Sequence, residues 1–256
     1  MSTHISPNYK LYPAYCFRIS PTYDAWVKMT AADVQALQTV PEFQGQRIYF
    51  HLNHPIRYIC LVGLIVAIDD VNPRYTIFTL DDSSGVTIEV KIIRLRPDEY
   101  DPAQSPSNTM VENVNVYSGL GNFAVMVNGE EIDVGTVLKV KGTISEFRGN
   151  KQVELKRVWI VKTTDEEVKA WLETARFKKE VLDVPWHITK GEHRRIVVAE
   201  KYEKKKRAEK ERLQREYEEK RMERKRRKEK EMAERERKLE IKRKQEEIIM
   251  NEGALI

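Results

Sequence analysis

Two alternating runs each carry a glycine near the middle: "HPIRYICLVGLIVAID" (54–69) with Gly63, and "TVLKVKGTISEF" (136–147) with Gly142. Alternation of apolar and polar residues with period two reads as β-strand. A glycine inside a strand marks a bend or a close approach of another backbone. Three more runs share the period: "RYTIFTL" (74–80), "VTIEVKII" (86–93) and "KQVELKRVWIV" (151–161). Five strands, of which the first and fourth bend at a glycine, predict a small closed antiparallel barrel.

The joints between strands are legible too. Arg148-Gly149-Asn150 joins the last two strands, and Asn128-Gly129 is a tight-turn signal. Residues 97–109 have no apolar period and predict an irregular excursion. "LDDSSG" (80–85) separates strands on which Thr76, Phe78 and Leu80 share one face and Ile88, Val90 and Ile92 another. Asp81 and Asp82 could be a catalytic pair or a corner. A catalytic pair needs further acids or a histidine converging on it, and the sequence offers none. Short Asp and Ser side chains that cap backbone amides, with Gly85 taking a positive φ, fit a corner.

Around the strands the pattern changes. Residues 1–40 are rich in aromatics, with helix starts expected at Ser20-Pro21 and at Thr30. Thr164-x-x-Glu167 predicts a capping box, followed by Val168, Trp171, Leu172 and Ala175 on one helical face, ending before Pro185. That face either plugs the barrel or meets a partner. From about residue 192 the chain reads as a solvated helix of Glu-to-Lys/Arg pairs, too poor in apolar residues for a heptad seam. The expected domains are a helical extension (1–40), a barrel (41–163), a closing helix (164–191) and a charged helical tail (192–256).

Charge is unevenly placed. Residues 201–250 hold 22 Lys and Arg against 14 Asp and Glu, whereas residues 1–200 hold 23 against 25. Any nucleic-acid affinity of the barrel must therefore come from a local patch. "KKKR" (204–207) and "RKRRK" (224–228) fit a solvated helix first, then nuclear-import signals, then DNA backbone contact. Cys16 and Cys60 have no CxxC spacing, which favours a reducing compartment. No signal-peptide h-region is expected at the start, and the apolar run 59–68 is too short to span a bilayer. His4, His51, His54, His187 and His193 show no metal spacing, and "SGLGN" (118–122) lacks the Lys of a phosphate loop. No enzyme, metal or cofactor is expected.

In order, "NHPIRYICLVGLIVAID", "LDDSSG", "KVKGTISEFR" and "KKEVLDVPW" resemble the STN subunits of CST telomere-capping complexes, of the fungal type, over residues 11–190. The architecture also resembles the middle subunit of replication protein A. The resemblance implies an OB-fold, a mainly β barrel, with short N-terminal helices, a helix after the last strand and a charged C-terminal helix. It implies a nuclear, telomere-associated protein that binds single-stranded telomeric DNA beside a small TEN-type OB-fold partner, without enzyme activity. The large CST subunit is a further partner it admits. Longer members add winged-helix modules where this sequence has the charged helix, so engagement of DNA polymerase α–primase is not among the expectations.

OB-folds bind strands across their second and third strands and the loops at either side. With Leu80 inward, Tyr75, Ile77, Thr79, Thr87, Glu89 and Lys91 face outward. The expected DNA contacts are Arg74, Tyr75, Lys91, Phe147, Arg148, Asn150 and Lys151. The expected partner contacts are Val168, Trp171, Leu172 and Ala175, because related replication subunits associate through this helix. Two rival readings remain open at this point. A general replication-protein-A middle subunit would be favoured by an acidic Ser/Gly-rich N-terminus, and an anticodon-binding OB domain of a tRNA synthetase by a downstream catalytic domain. Neither feature occurs in the sequence.

Overall fold

A computed structural model describes residues 9–253 except 97, 102, 104, 120 and 121. His4, the start of the chain and parts of the 97–109 and 118–122 stretches lie outside the described residues. The chain divides into two compact units between Thr189 and Lys190.

In chain order the first unit contains β1 (Trp26–Lys28), α1 (Ala31–Ala36), β2 (Tyr49–His51), β3 (His54–Ile56) and β4 (Tyr58–Asn72). There follow β5 (Tyr75–Asp81), β6 (Thr87–Ile93), β7 (Val114–Gly119), β8 (Asn122–Val127), β9 (Glu130–Ile132), β10 (Val137–Phe147) and β11 (Asn150–Ile160), then α2 (Thr164–Phe177). β4 pairs with β10, β10 with β11, β11 with β6 in parallel, β6 with β5, and β5 with β4 again. The pairings form a ring with one parallel step, which is OB-fold order.

Both mid-strand glycines are required by backbone proximity. A Cβ on Gly142 would lie 2.4 Å from the Glu154 carbonyl oxygen, beside the register shift between β10 and β11. A Cβ on Gly63 would lie 2.8 Å from the carbonyl oxygen of Asp81. Phe78, Leu80, Ile88, Val90, Leu138, Ile144 and Val153 fill the interior.

Several elements depart from the sequence reading. Ser20 ends a 3-10 helix (Ala14–Ile19) instead of starting an α-helix. Its hydroxyl accepts the amide two residues on, at Thr22, and a strand follows because Trp26–Lys28 pairs in parallel with β4. The "helical" extension is thus part strand. β7, β8 and β9 form their own three-stranded sheet, whose Val114, Val116, Val125 and Val127 join the main core. The cap of α2 is Thr163, one residue earlier than expected, with its hydroxyl accepting from Glu166 N. Thr30 caps α1 as expected, in a full capping box with Asp33.

The corner acids have a structural occupation. Asp81 accepts from Ser83 N and Asp82 from Ser84 N, so each holds the turn in which Ser83 (φ 62°) and Gly85 (φ 96°) are left-handed. Asp82 also accepts from Ala31 N and Ser84 Oγ from Ala32 N, across more than fifty residues. These amides open α1 and have no partner inside their own helix. The corner therefore caps a distant helix, and α1 then buries Ala31 and Val34 in the barrel core against β6 and β11.

The N-terminal aromatics Tyr12 and Phe17 are structural. Phe17, Phe43 and Phe50 pack together with ring centroids 5.0–5.8 Å apart. Asn53 exchanges hydrogen bonds with Trp186, and Trp186 meets Tyr12 edge-on. His54 is buried with Nε2 on the Val184 carbonyl oxygen, and burial pulls its pKa below the ordinary histidine value. His51 and His54 are cross-strand neighbours in the β2–β3 pair, in keeping with a polar strand entry.

The second unit is α3 (Lys190–Gly253). Pairs four residues apart run along it: Glu200–Lys204, Arg212–Glu216, Arg227–Glu231 and Glu240–Lys244. Leu213, Tyr217 and Met222 are exposed. Among the described residues no helix is long and apolar enough to cross a membrane.

Candidate nucleic-acid interface

Alternation in β5 and β6 places Thr76, Phe78, Leu80, Ile88, Val90 and Ile92 inside, so Tyr75, Ile77, Thr79, Glu89 and Lys91 face outward. Lys91 Nζ sits 5.3 Å from the centre of the Tyr75 ring. The Arg74 amide is bound by Asn72 Oδ1, and the Arg74 carbonyl receives Arg94 N, which fixes the β4–β5 loop. Arg94 itself bonds Asp70 and Thr76.

The other candidates gather at the β10–β11 turn. Arg148 (φ 51°) and Gly149 (φ 83°) form it, with Phe147 opposite Asn150. Phe147 is 55% exposed, and the Arg148 guanidinium lies 5.1 Å from its ring centre. Lys151 is committed elsewhere. Its amide and ammonium bond Gln35 of α1, and its Nζ lies over the Tyr49 ring.

The candidates therefore form two clusters. Tyr75 is opposite Ile93 at one end of β6, while Gln152 is opposite Glu89 near the other. Four residues of strand separate Ile93 from Glu89, roughly 13 Å. Between the β5–β6 corner and the β10–β11 turn lies an open cleft of about 1090 Å³, lined by Gln35, Asp81, Glu89, Asn150 and Lys151 among others.

Acids sit in the middle of this face. Gln152 donates to Glu89. Glu154 is bridged by Lys156 at 2.6 Å and Arg47 at 3.1 Å. Burial raises the Glu154 carboxyl, but the Lys156 hydrogen bond and the Lys156, Arg47 and Lys91 charges outweigh it and leave the pKa below the usual value. A phosphate chain crossing here gains little from net charge, and ring stacking must supply more of the attraction. Sequence reading missed Gln35 and Tyr49 as the residues that hold Lys151, because both are distant in the chain.

α2 shows two different faces. Ala170, Thr174 and Phe177 are half-buried, and Phe177 packs on the barrel core. Val168, Trp171 and Leu172 are exposed at 40%, 46% and 62%, and Ala175 is exposed beside them. Lys28–Glu173 (2.8 Å) and Lys178–Asp33 (2.6 Å) bridge the helix to the β1–α1 segment. Trp171 and Ala175 line a groove of about 330 Å³ with Met29, Val62 and the Asp82–Ser84 corner. Among the described residues no cluster of three or more His, Cys, Asp or Glu could hold a metal ion.

Residues 4–96 match the family model described as telomere regulation protein Stn1. Fission-yeast protein stn1 is 27% identical over 164 residues, covering 64% of this chain and 42% of that relative. The bovine CST complex subunit STN1 is 21% identical over 178 residues, 68% of this chain and 47% of the relative. The chain thus spans about half the length of the relatives it matches. A crystal structure of the fission-yeast Stn1–Ten1 complex is similar with a TM-score of 0.44 and 25% identity, over 62% of this chain and 95% of that one.

Proposed function

We propose that this Stn1-like chain is a non-enzymatic subunit of a telomere-capping assembly, acting in the nucleus at chromosome ends. Its barrel, residues 41–163, holds single-stranded telomeric DNA, and α2, within 164–191, docks a small TEN-type OB-fold partner. The relatives' own names supply the telomere and CST context. The observation that carries the partner reading is the outward stripe of α2. Val168, Trp171, Leu172 and Ala175 lie open while α1 already fills the barrel between β6 and β11. A helix whose apolar stripe is not needed as a plug is free for a second chain.

A buried tryptophan anchor commonly costs about 2 kcal/mol or more on truncation. Trp171→Ala should therefore abolish co-purification of the full chain with the small partner while its own melt stays normal. Full partner affinity in that variant would overturn the interface. For DNA, Phe147 and Tyr75 act as the stacking platforms, each worth roughly 1–3 kcal/mol. Telomeric single strand should bind the Phe147→Ala, Tyr75→Ala double variant much more weakly. Unchanged affinity there would remove this face from the DNA path.

A further inference from the structure

The outer surface of β1, β4, β10 and β11 carries an unbroken chain of rings and cations that the DNA face above does not include. The Arg57 guanidinium lies 5.0 Å from the centre of the Tyr23 ring and 5.1 Å from that of Tyr58. Tyr58 meets Trp26 with centroids 5.2 Å apart, as the parallel β1–β4 register requires. Lys141 Nζ then sits between two indoles, 5.7 Å from the centre of Trp26 and 5.2 Å from that of Trp159. Strand pairing sets the spacing: Lys139 is opposite Trp159, and Lys141 is opposite Arg157 on one side and Cys60 on the other.

Cations outnumber acids on this surface, although Glu166 of α2 lines it beside Trp159 and Lys139. Lys28, Arg57, Lys139, Lys141 and Arg157 lie on these strands or beside them. Glu173 of α2 reaches this surface and is held by Lys28. Glu154, where β11 turns toward β6, is held by Lys156 and Arg47. Burial raises the pKa of the Cys60 thiol beneath this surface, against the pull of Lys139, Lys141 and Lys28.

We propose that this ring-and-cation surface is a second binding path for single-stranded nucleic acid on the barrel, with Trp159, Trp26 and Tyr58 as base platforms and Lys141, Arg157 and Arg57 as phosphate contacts. The proposal rests on the single-strand reading above and extends it to a new face. Rings alternating with cations suit a polymer whose flat bases alternate with charged phosphates. An exposed cation–ring contact is weaker than a base stacked on the same ring, so an arriving base displaces Lys141 or Arg57 and frees it for a phosphate. Trp159 is 38% exposed and accessible to such a base.

The test uses the full chain and a fluorescein-labelled 24-nucleotide single strand of telomeric repeat, read by anisotropy. Three variants are compared: Trp159→Ala, the charge reversal Lys141→Glu with Arg157→Glu, and the double variant Phe147→Ala, Tyr75→Ala. The charge reversal leaves every buried side chain in place, so it guards against misfolding of Trp159→Ala. The expected result is binding weakened roughly tenfold by Trp159→Ala and a shallower salt dependence in the charge reversal. Wild-type affinity in both of these variants, with loss in the Phe147 and Tyr75 double variant, overturns the second path and leaves the single-strand reading standing. No binding by the wild-type chain overturns both. Displacement of the strand by poly-glutamate at equal charge would make this a surface for acidic protein segments and also overturn the assignment.

Discussion

The barrel unit and α3 are stabilised by opposite means. The barrel hides Phe78, Leu80, Ile88 and Val153 almost completely and closes its ladder on itself. Among the described residues α3 buries no comparable face, and its Leu213, Tyr217 and Met222 stay exposed along a run of paired charges. A structure held by burial is cooperative and sensitive to single core changes. One held by i,i+4 pairs is an assembly of small local contributions, each roughly 0.2–0.5 kcal/mol and screened by salt. The same polypeptide should therefore answer the same perturbation in two ways.

The largest contrast is in the core. Phe78→Ala should lower barrel stability by about 3–5 kcal/mol. Leu213→Ala in α3 should leave it unchanged. Urea denaturation followed by tryptophan emission separates the two, since Trp26, Trp159, Trp171 and Trp186 all belong to the barrel unit. Equal midpoints for the two variants would erase the distinction. Next comes Gly142→Ala, where the new methyl meets the Glu154 carbonyl and the Val153 side chain. A loss of about 1–3 kcal/mol is expected, typical of overpacking.

Smaller again is the corner that caps α1. Asp82→Ala removes the acceptor of Ala31 N and should cost about 1 kcal/mol, within the range for helix caps. Hydrogen exchange should quicken first at Ala31 and Ala32. Protection unchanged at those amides would mean that Ser84 suffices.

Acid should also act on the barrel. Burial lowers the folded-state pKa of His54, so the unfolded chain binds the proton more readily. Stability is then full above the ordinary histidine range and is lost as the pH falls through it. Asp33 works in the same direction at lower pH. Burial raises its carboxyl, but hydrogen bonds from Lys178 and Thr30 prevail and hold its pKa down. Its contribution is present above the ordinary carboxylate range and disappears as the pH falls through the lowered value. Melts between pH 8 and pH 5, run on the wild type and on His54→Asn, read the histidine part, and a flat profile in the wild type would contradict it. The smallest effect is expected from removing residues 190–256, which should leave the cooperative melt of the barrel where it was. A lower midpoint would show that α3 stabilises the barrel after all.

Much of this molecule is written locally. Alternation located β5, β6, β10, β11 and most of β4. The expected single strand 54–69 breaks at Arg57, because His54–Ile56 pairs as β3 with β2. Alternation also sorted Phe78 and Leu80 inward from Tyr75 and Lys91 outward, because a strand's side chains alternate strictly. Helical spacing put Val168, Trp171, Leu172 and Ala175 together, and charge spacing made α3 a solvated helix. Turn chemistry found Asn128-Gly129 and the Asp81–Gly85 corner, since positive φ and amide capping belong to a few residues.

What depends on distant partners could not be read this way. Trp26–Lys28 became a strand because β4 offered it an edge, and Asp82 gained its principal role because α1 came to rest against the corner. The outward direction of the α2 stripe followed from the opposite face, with Ala170, Thr174 and Phe177, packing toward β1 and β4. Lys141 came to lie between Trp26 and Trp159 only when the ring of strands brought residues from three parts of the chain onto one surface. Local conformation follows from the steric and hydrogen-bonding needs of neighbouring residues. The identity of a packing partner depends on which buried surfaces fill one another, and that is settled only when the whole chain closes.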